Sequence, residues 1–386
     1  MKKKREPFTP AQLRMAYKVA THYYLRRRSN GALEKQNIVA EELGLQPPRF
    51  SEYLNIAWQA GLIDVILTPP EGIGSDYHAL RKLELRLFDK LEKFSPPLID
   101  GEGNMVRKHK LCQIHIVPSG PPISSELNLT SNEWLSLRGH LMARICKKAA
   151  IEFYSLIKKT YKTRNEENLY CGIGWGRTCE RTVSLMDISE DSYPSLVVCP
   201  LVGNVGQVPF DANVLAYELA NRLSGTSINL PCPSVRPLKL ELETLEPVSR
   251  ALGEISHCQI ALSGIGAAYY EHMPFKSKLV ERKILTDKML NKIIKQGAVA
   301  ELQCHYFDIN GHLIPYDVAG VVPVGIDIMG TRQMPRFLVV VSPDSEKILP
   351  AVVTIKAGIC SDLVIDQGVA LFLLDDKNNK KVGLES

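Results

Sequence analysis

The sequence predicts an α/β protein in two parts: a trihelical unit with a helix-turn-helix layout at the N-terminus, then a mostly parallel sheet with helices on both faces. Three observations predict it. Between residues 10 and 61 three stretches of apolar residues keep helical spacing, the second and third of them stopping at a glycine. From residue 169 onward short apolar runs alternate with helical patterns, the rhythm of βαβ units. The chain's 386 residues, 45% hydrophobic and 23% charged, suffice for two or three domains with ordinary cores.

Thr9 reads as an N-cap, with Pro10 at the first helical position and Gln12 closing a capping box. Leu13, Ala16, Tyr17, Ala20 and Tyr24 carry that helix to the run Arg26-Arg27-Arg28. A second short helix with Ile38, Val39 and Leu43 stops at Gly44. In the third, Pro47 is tolerated in the first turn and Phe50, Leu54, Ala57 and Trp58 share one face up to Gly61. Residues 62–67 read as a short strand and 69–76 as a linker. Leu80, Leu83, Leu87 and Leu91, with Leu85 and Phe88, form an amphipathic helix over 78–94, near a heptad in spacing and suited to packing within or between subunits. The segment 95–125 is a connector with one strand at 111–117, and a long helix occupies 133–161. Strands are expected at 169–173, 196–201, 228–232, 259–263, 321–326, 337–341 and 363–365, with helices at 211–224 and 346–356 ended by Gly225 and Gly358. The expected domains are 1–68, a linker with its amphipathic helix at 69–110, and an α/β domain at 111–386.

Residues 1–68 hold 11 Lys and Arg against 6 Asp and Glu, the whole of the net charge of +5, because the other 318 residues balance at 36 against 36. Basicity confined to a trihelical unit is an electrostatic footprint for duplex DNA, whose last-helix reader enters the major groove. The solvent face of that helix carries Arg49, Ser51, Glu52, Asn55 and Gln59. Arg pairs with guanine and Asn or Gln with adenine, whereas Glu52 opposes phosphate, so Arg49, Ser51, Asn55 and Gln59 are the DNA-binding candidates. A helical bundle used for protein contact is the bland alternative. No apolar run approaches the length of a membrane span, and Met1-Lys2-Lys3-Lys4-Arg5 leads into Glu6, Pro7 and Gln12 rather than an apolar leader, so a cytoplasmic protein is expected. Nine cysteines without a C-x-x-C pair fit reduced thiols, and neither a metal nor a cofactor is expected.

Ligands of parallel sheets bind at the carboxyl ends of strands, which directs attention to the strand-to-helix turns. Cys171-Gly172-Ile173-Gly174-Trp175-Gly176-Arg177-Thr178 follows a strand and opens a helix, so its backbone amides, Arg177 and the Thr178 hydroxyl suit an anion. It is neither the dinucleotide fingerprint nor a Walker loop. Asp211-Ala212-Asn213, Ser263-Gly264-Ile265-Gly266 and the 307–311 turn are expected on the same rim. Each alone has a structural explanation, Asp211 as an N-cap and Asn310-Gly311 as a hairpin turn. No triad, metal-ligand histidine pair or close carboxylate pair is evident, and Cys304-His305 is expected to point its side chains to opposite faces of a strand, so no catalytic residue is assigned.

These motifs, in this order, resemble the SorC family of bacterial sugar-responsive transcriptional regulators. Residues 36–45 and 57–63 resemble its DNA-binding segment; 172–178, 200–203, Ala212-Asn213, 264–266, 297–301, Phe307-Asp308 with Gly311, and 361–366 resemble its effector domain. The resemblance implies a Rossmann-like fold shared with phosphosugar isomerases and aminosugar-phosphate deaminases, binding a phosphorylated sugar rather than converting it. It also implies homo-oligomers, commonly tetramers, acting on operators. Carried over, Gly174, Gly176, Arg177 and Thr178 surround phosphate, Asn213, Gly264 and Asp308 face the sugar, and Lys347 is a second cation for phosphate. The chain departs from the family at Val341-Ser342-Pro343-Asp344-Ser345-Glu346-Lys347, where a glycine pair usually precedes the lysine, and at Gln46-Pro47-Pro48-Arg49 and Glu52 in the recognition helix. The stretch 119–140 reads as an insertion. The leading reading is an effector-controlled transcriptional regulator. Its rivals are a phosphosugar isomerase or deaminase with an appended helical domain, and a ligand-binding protein whose helical unit contacts protein.

Overall fold

A computed structural model describes residues 9–25, 35–59, 75–100, 102–118, 131–163, 167–188, 192–206, 208–268 and 278–384. The chain divides into two compact units, Met1–Pro69 and Pro70–Ser386.

In the first unit α1 (Pro10–Leu25), α2 (Gln36–Glu42) and α3 (Pro47–Gln59) enclose a small core of Ala16, Val19, Ala20, Val39, Ala40, Phe50, Leu54, Ile56 and Ala57. The expected capping box forms: the Thr9 amide donates to Gln12 Oε1 at 2.8 Å and the Gln12 amide to Thr9 Oγ1 at 3.3 Å. At the end of α2, Gly44 has φ +66°, its amide bonds the Glu41 carbonyl at 3.0 Å, and the Leu45 amide reaches back to Ala40 at 2.9 Å. That left-handed closure lets α3 start three residues later, with Tyr23 set edge-on to Phe50 at 5.8 Å between centroids. The expected strand at 62–67 and the linker up to residue 74 lie outside the described residues.

The second unit is built on seven parallel strands: β1 (Gln113–Val117), β2 (Leu169–Ile173), β3 (Leu196–Pro200), β4 (Thr226–Ser227), β5 (Ile260–Gly264), β6 (Arg336–Val340) and β7 (Asp362–Asp366), in the spatial order β1-β7-β6-β5-β2-β3-β4. Alternate residues go to opposite layers, as the twofold strand period requires. Val197, Cys199, Ala261, Phe337, Val339, Leu363 and Ile365 pack with α4 (Ser75–Leu91), α8 (Glu246–Ser256), α11 (Ile348–Lys356) and α12 (Gln367–Leu374). Leu196, Val198, Ile260, Leu262, Leu338, Val340 and Val364 pack with α5 (Ser131–Lys162), α6 (Arg177–Ser184) and α7 (Ala212–Arg222). The leucine helix α4 directs its apolar face into this unit's own core, with Leu87 and Leu91 fully buried.

Two expected strands are corrected. Ile228 still donates its amide to Val198 O of β3 at 2.9 Å, but 229–232 leave the ladder after the two-residue β4, and Pro231 has no amide to continue it. Val321–Pro323 joins Val235–Pro237 in a separate antiparallel pair and stops at its own proline. Between β5 and β6 the chain makes a long excursion containing α9 (Lys278–Glu281), α10 (Asp287–Lys295) and the hairpin Ala298–Leu302 with His305–Asp308. Its apolar residues, with Trp175 and Val235, form a core of their own. The hairpin turns on Gln303 (φ +51°) and Cys304 (φ +67°), so Cys304 occupies the turn rather than a strand face as expected. Positive φ at both central residues is the favoured hairpin geometry, but for residues with a Cβ it stores about 1–3 kcal/mol each.

Candidate functional site

From β2 the chain winds outward through β3 and β4, then returns to the other side of β2 as β5 and continues to β6 and β7. The winding direction therefore reverses between β2 and β5, and the crevice above their carboxyl ends is where ligands of such sheets bind. Gly174 leaves β2 with its amide on the Leu262 carbonyl of β5 at 2.8 Å. The N-cap of α6 is Gly176, at φ +112°, which supplies no side-chain cap to the first-turn amides. The Gly176 amide itself is used, donating to Phe210 O at 2.8 Å. Across the crevice, a Cβ on Gly264 would lie 3.3 Å from that of Thr178, and the Gly264 amide donates to Cys179 Sγ at 3.3 Å. The two glycine turns are thus in direct contact, with an uncapped helix N-terminus between them.

Buried polar side chains line this edge. Ser263 Oγ donates to the Gly264 carbonyl at 2.6 Å and accepts from Gln303 Nε2 at 2.7 Å. Lys347 is buried and its Nζ donates to the Ile265 carbonyl at 2.6 Å. Glu301 Oε1 accepts the Cys304 amide at 2.7 Å; burial raises its pKa, against the opposing pull of that amide and of Lys347. Asp344 receives Arg138 at both carboxylate oxygens, at 2.5 and 2.8 Å, and Ser342 Oγ at 2.8 Å. Burial pushes the Asp344 pKa up, but the guanidinium and hydroxyl outweigh it and the net shift is downward.

Of the residues expected to meet a ligand, the fold brings Gly174, Gly176, Arg177, Thr178, Gly264 and Lys347 to this edge. Arg177 is exposed and leans over the Phe210 ring at 5.9 Å, and Arg282 lies against the same ring at 4.8 Å. Asn213 lies next door. Its Oδ1 accepts the Leu230 amide at 2.7 Å, and it lines a cleft of about 790 Å³ with Asn204, Val208, Pro209, Asp211 and Pro233. Asp211 caps α7, taking the Asn213 and Val205 amides at 2.9 and 2.8 Å. The turn carrying Val208 and Pro209 also presents the Phe210 carbonyl to Gly176, so one loop walls both cleft and crevice.

Asp308 is not on this rim. Its Oδ1 accepts the Asn310 and His312 amides at 2.8 and 2.9 Å, and Gly311 packs on Ala357, just past the end of α11. Lys347 stands just before the start of that nine-residue helix, about 15 Å from Ala357 at 1.5 Å per residue. The 307–311 turn follows a hairpin strand that runs back along α11, and the expected common rim assumed a strand of the main sheet. Gln303 was not anticipated from the sequence; Ser263 was named only as part of the 263–266 turn, Asp344 only within the 341–347 departure from the family, and Glu301 only as part of the 297–301 motif. The Gln303-Cys304 turn has neither Asn nor Gly to mark it. In the first unit Arg49, Ser51 and Asn55 are exposed on α3, as expected. Arg49 donates to Glu52 at 2.8 Å and lies over Tyr53 at 5.3 Å; the Gln59 side chain is outside the described residues. Among the described residues, no cluster of His, Cys, Asp and Glu could hold a metal ion and no helix is long and apolar enough to cross a membrane.

Residues 139–375 match the family described as "Putative sugar-binding domain". The fold is similar to that of a DeoR family transcriptional regulator from Listeria monocytogenes (TM-score 0.58, 17% identity, covering 76% of this chain and 99% of that one). It is also similar to the full-length sorbitol operon regulator SorC from Klebsiella pneumoniae (TM-score 0.57, 18% identity, 95% and 100% covered). A transcriptional regulator from Streptococcus pneumoniae gives a TM-score of 0.55 at 18% identity, with 78% and 98% covered. At such identities the likeness is one of fold. No curated protein matches the sequence.

Proposed function

This chain belongs to the sugar-binding domain family, and on that footing we propose that it is a DNA-binding transcriptional regulator controlled by a phosphorylated sugar. The observation that carries the effector half is the uncapped N-terminus of α6 at the strand-order reversal, with Thr178 pressed against Gly264. Amides without a capping side chain and a favourable helix dipole suit phosphate, and the Thr178 hydroxyl adds a donor. Arg177 supplies a bidentate contact once it swings from Phe210, and Lys347 adds positive potential behind the 264–266 turn. The sugar extends from the crevice toward Asn213 and its cleft, whose size suits a small ligand. In the DNA half, Arg49, Ser51 and Asn55 on α3 read base edges, Arg49 exchanging Glu52 for guanine. Half-sites on an operator call for a homo-oligomer presenting paired readers, a tetramer by the resemblance.

A thermal-shift screen with sugar phosphates tests the effector half, since a ligand at 100 times its Kd adds about 2.7 kcal/mol of stability. Calorimetry on a responsive compound then compares variants. Arg177→Lys and Thr178→Val are both expected to weaken binding measurably without changing the unliganded unfolding temperature. Unchanged affinity in both means that the phosphate is not held by this turn.

A second reading, an isomerase or deaminase, is favoured by one observation: the buried Glu301 carboxyl beside the crevice has a raised pKa, as a proton-transfer group requires. Conversion of a bound sugar phosphate, followed by NMR and abolished in Glu301→Gln, would establish it in place of the first.

A further inference from the structure

Resting on the reading of the crevice as a sugar-phosphate site, we propose that Gln303 selects the sugar, its carboxamide oxygen accepting a hydrogen bond from a ligand hydroxyl. Gln303 is only 3% exposed, and its Oε1 is buried without a hydrogen-bond partner among the described residues. Its orientation is fixed by its neighbour. The Ser263 hydroxyl hydrogen goes to the Gly264 carbonyl, so Ser263 Oγ has lone pairs to offer and takes a donor, Gln303 Nε2 at 2.7 Å. Turning the amide over would set oxygen against oxygen. Oε1 is thereby held as an acceptor in need of a donor.

The place of this acceptor matters as much as its need. A Cβ on Gly174 would overlap the Gln303 amide, so the carboxamide lies directly on the glycine turn that opens α6. It gets there from the tip of the hairpin, on a backbone with φ +51° at Gln303 and +67° at Cys304. A buried polar atom left unmet and a backbone held out of its usual range on the same two residues, over the same crevice, are features that packing alone disfavours and a bound ligand resolves. Phosphate oxygens would be repelled by Oε1, because both are acceptors. The group that satisfies it is a donor on the sugar, and a hydroxyl is the donor every sugar phosphate carries.

Calorimetry on the full chain tests this with fructose 6-phosphate, glucose 6-phosphate, ribose 5-phosphate, 2-deoxyglucose 6-phosphate, 2-deoxyribose 5-phosphate and inorganic phosphate. Gln303→Met keeps the volume and removes the acceptor; Gln303→Asn keeps the amide, tolerates the left-handed backbone and serves where Gln303→Met does not fold. The expected result is about tenfold weaker binding of the responsive sugar phosphate to either variant, the value of one neutral hydrogen bond, with inorganic phosphate unaffected. Sugar-phosphate affinity unchanged in both variants overturns the role of Gln303 while leaving the crevice as the site. Equal loss for inorganic phosphate and for the sugar phosphate overturns it too, because the residue then supports the phosphate cradle. If no sugar phosphate binds the wild type, the reading of the crevice falls and this assignment falls with it.

Discussion

Single residues carry the most information where their environment conflicts with their chemistry. His305 is such a case: it is buried, its Nδ1 is 2.9 Å from the Tyr316 hydroxyl, and burial brings its pKa down from 6.5 to about 3. The unfolded chain then binds a proton between pH 6.5 and 3 that the folded chain refuses. The stability that neutral His305 contributes is intact above pH 6.5 and is lost as pH falls through that window, by roughly 1 kcal/mol per pH unit. Chemical denaturation at pH 7, 6, 5 and 4 should show His305→Gln losing stability less steeply than wild type; parallel curves would mean that His305 takes up its proton as readily in the folded chain as in the unfolded one. The sequence singled this histidine out only as the neighbour of Cys304 on a strand, and nothing in it marked His305 as buried. Its burial depends on the hairpin, whose turn residues Gln303 and Cys304 have positive φ but give no turn signal in the sequence.

At the scale of elements, legibility followed the range of the interactions. The capping box at Thr9, the glycine closure at Gly44 and the N-cap at Asp211 are local hydrogen bonds written in adjacent residues, and each formed as read. Strands buried on both faces showed as apolar runs, with β2 found to the residue. The failures were positional. The 228–232 and 321–326 runs are apolar enough for strands, but their prolines decide against the main sheet, whereas α4, read as suited to packing within or between subunits, packs into its own unit in keeping with the first of those readings. Asp308 was assigned to the rim because its turn follows a strand, and only the topology reveals that this strand is a hairpin arm. The 341–347 loop makes a further prediction. It hangs on Asp344, which Arg138 of α5 grips at both oxygens. Arg138→Ala leaves that buried carboxylate without its guanidinium and is expected to lower stability by roughly 1–3 kcal/mol, between the values for exposed and fully buried pairs. Asp344→Asn in the same chain should restore part of the loss in urea denaturation. An unaltered midpoint in Arg138→Ala would show that the loop stands without the pair.

Across the whole molecule, charge and chemistry are divided between the two units. The excess of basic residues lies within 1–68, whereas the crevice between β2 and β5 belongs to a unit of balanced charge. The division was legible because composition is additive along a chain, while the crevice needed the strand order, a long-range property that no local pattern states. Under the proposed function the two halves are linked: a sugar phosphate at 174–178 would change how the helical unit holds DNA. The most direct test measures equilibrium binding of the full chain to duplexes it has itself selected from a randomised pool, over a series of salt concentrations, with and without the sugar phosphate that most raises its unfolding temperature. Under the proposed function affinity is expected to fall steeply with salt, selected duplexes to exceed random ones, at least two chains to bind each duplex, and the sugar phosphate to shift the affinity at least fivefold in one direction. Equal affinity for selected and random duplexes at every salt concentration, unmoved by the sugar phosphate, would contradict it.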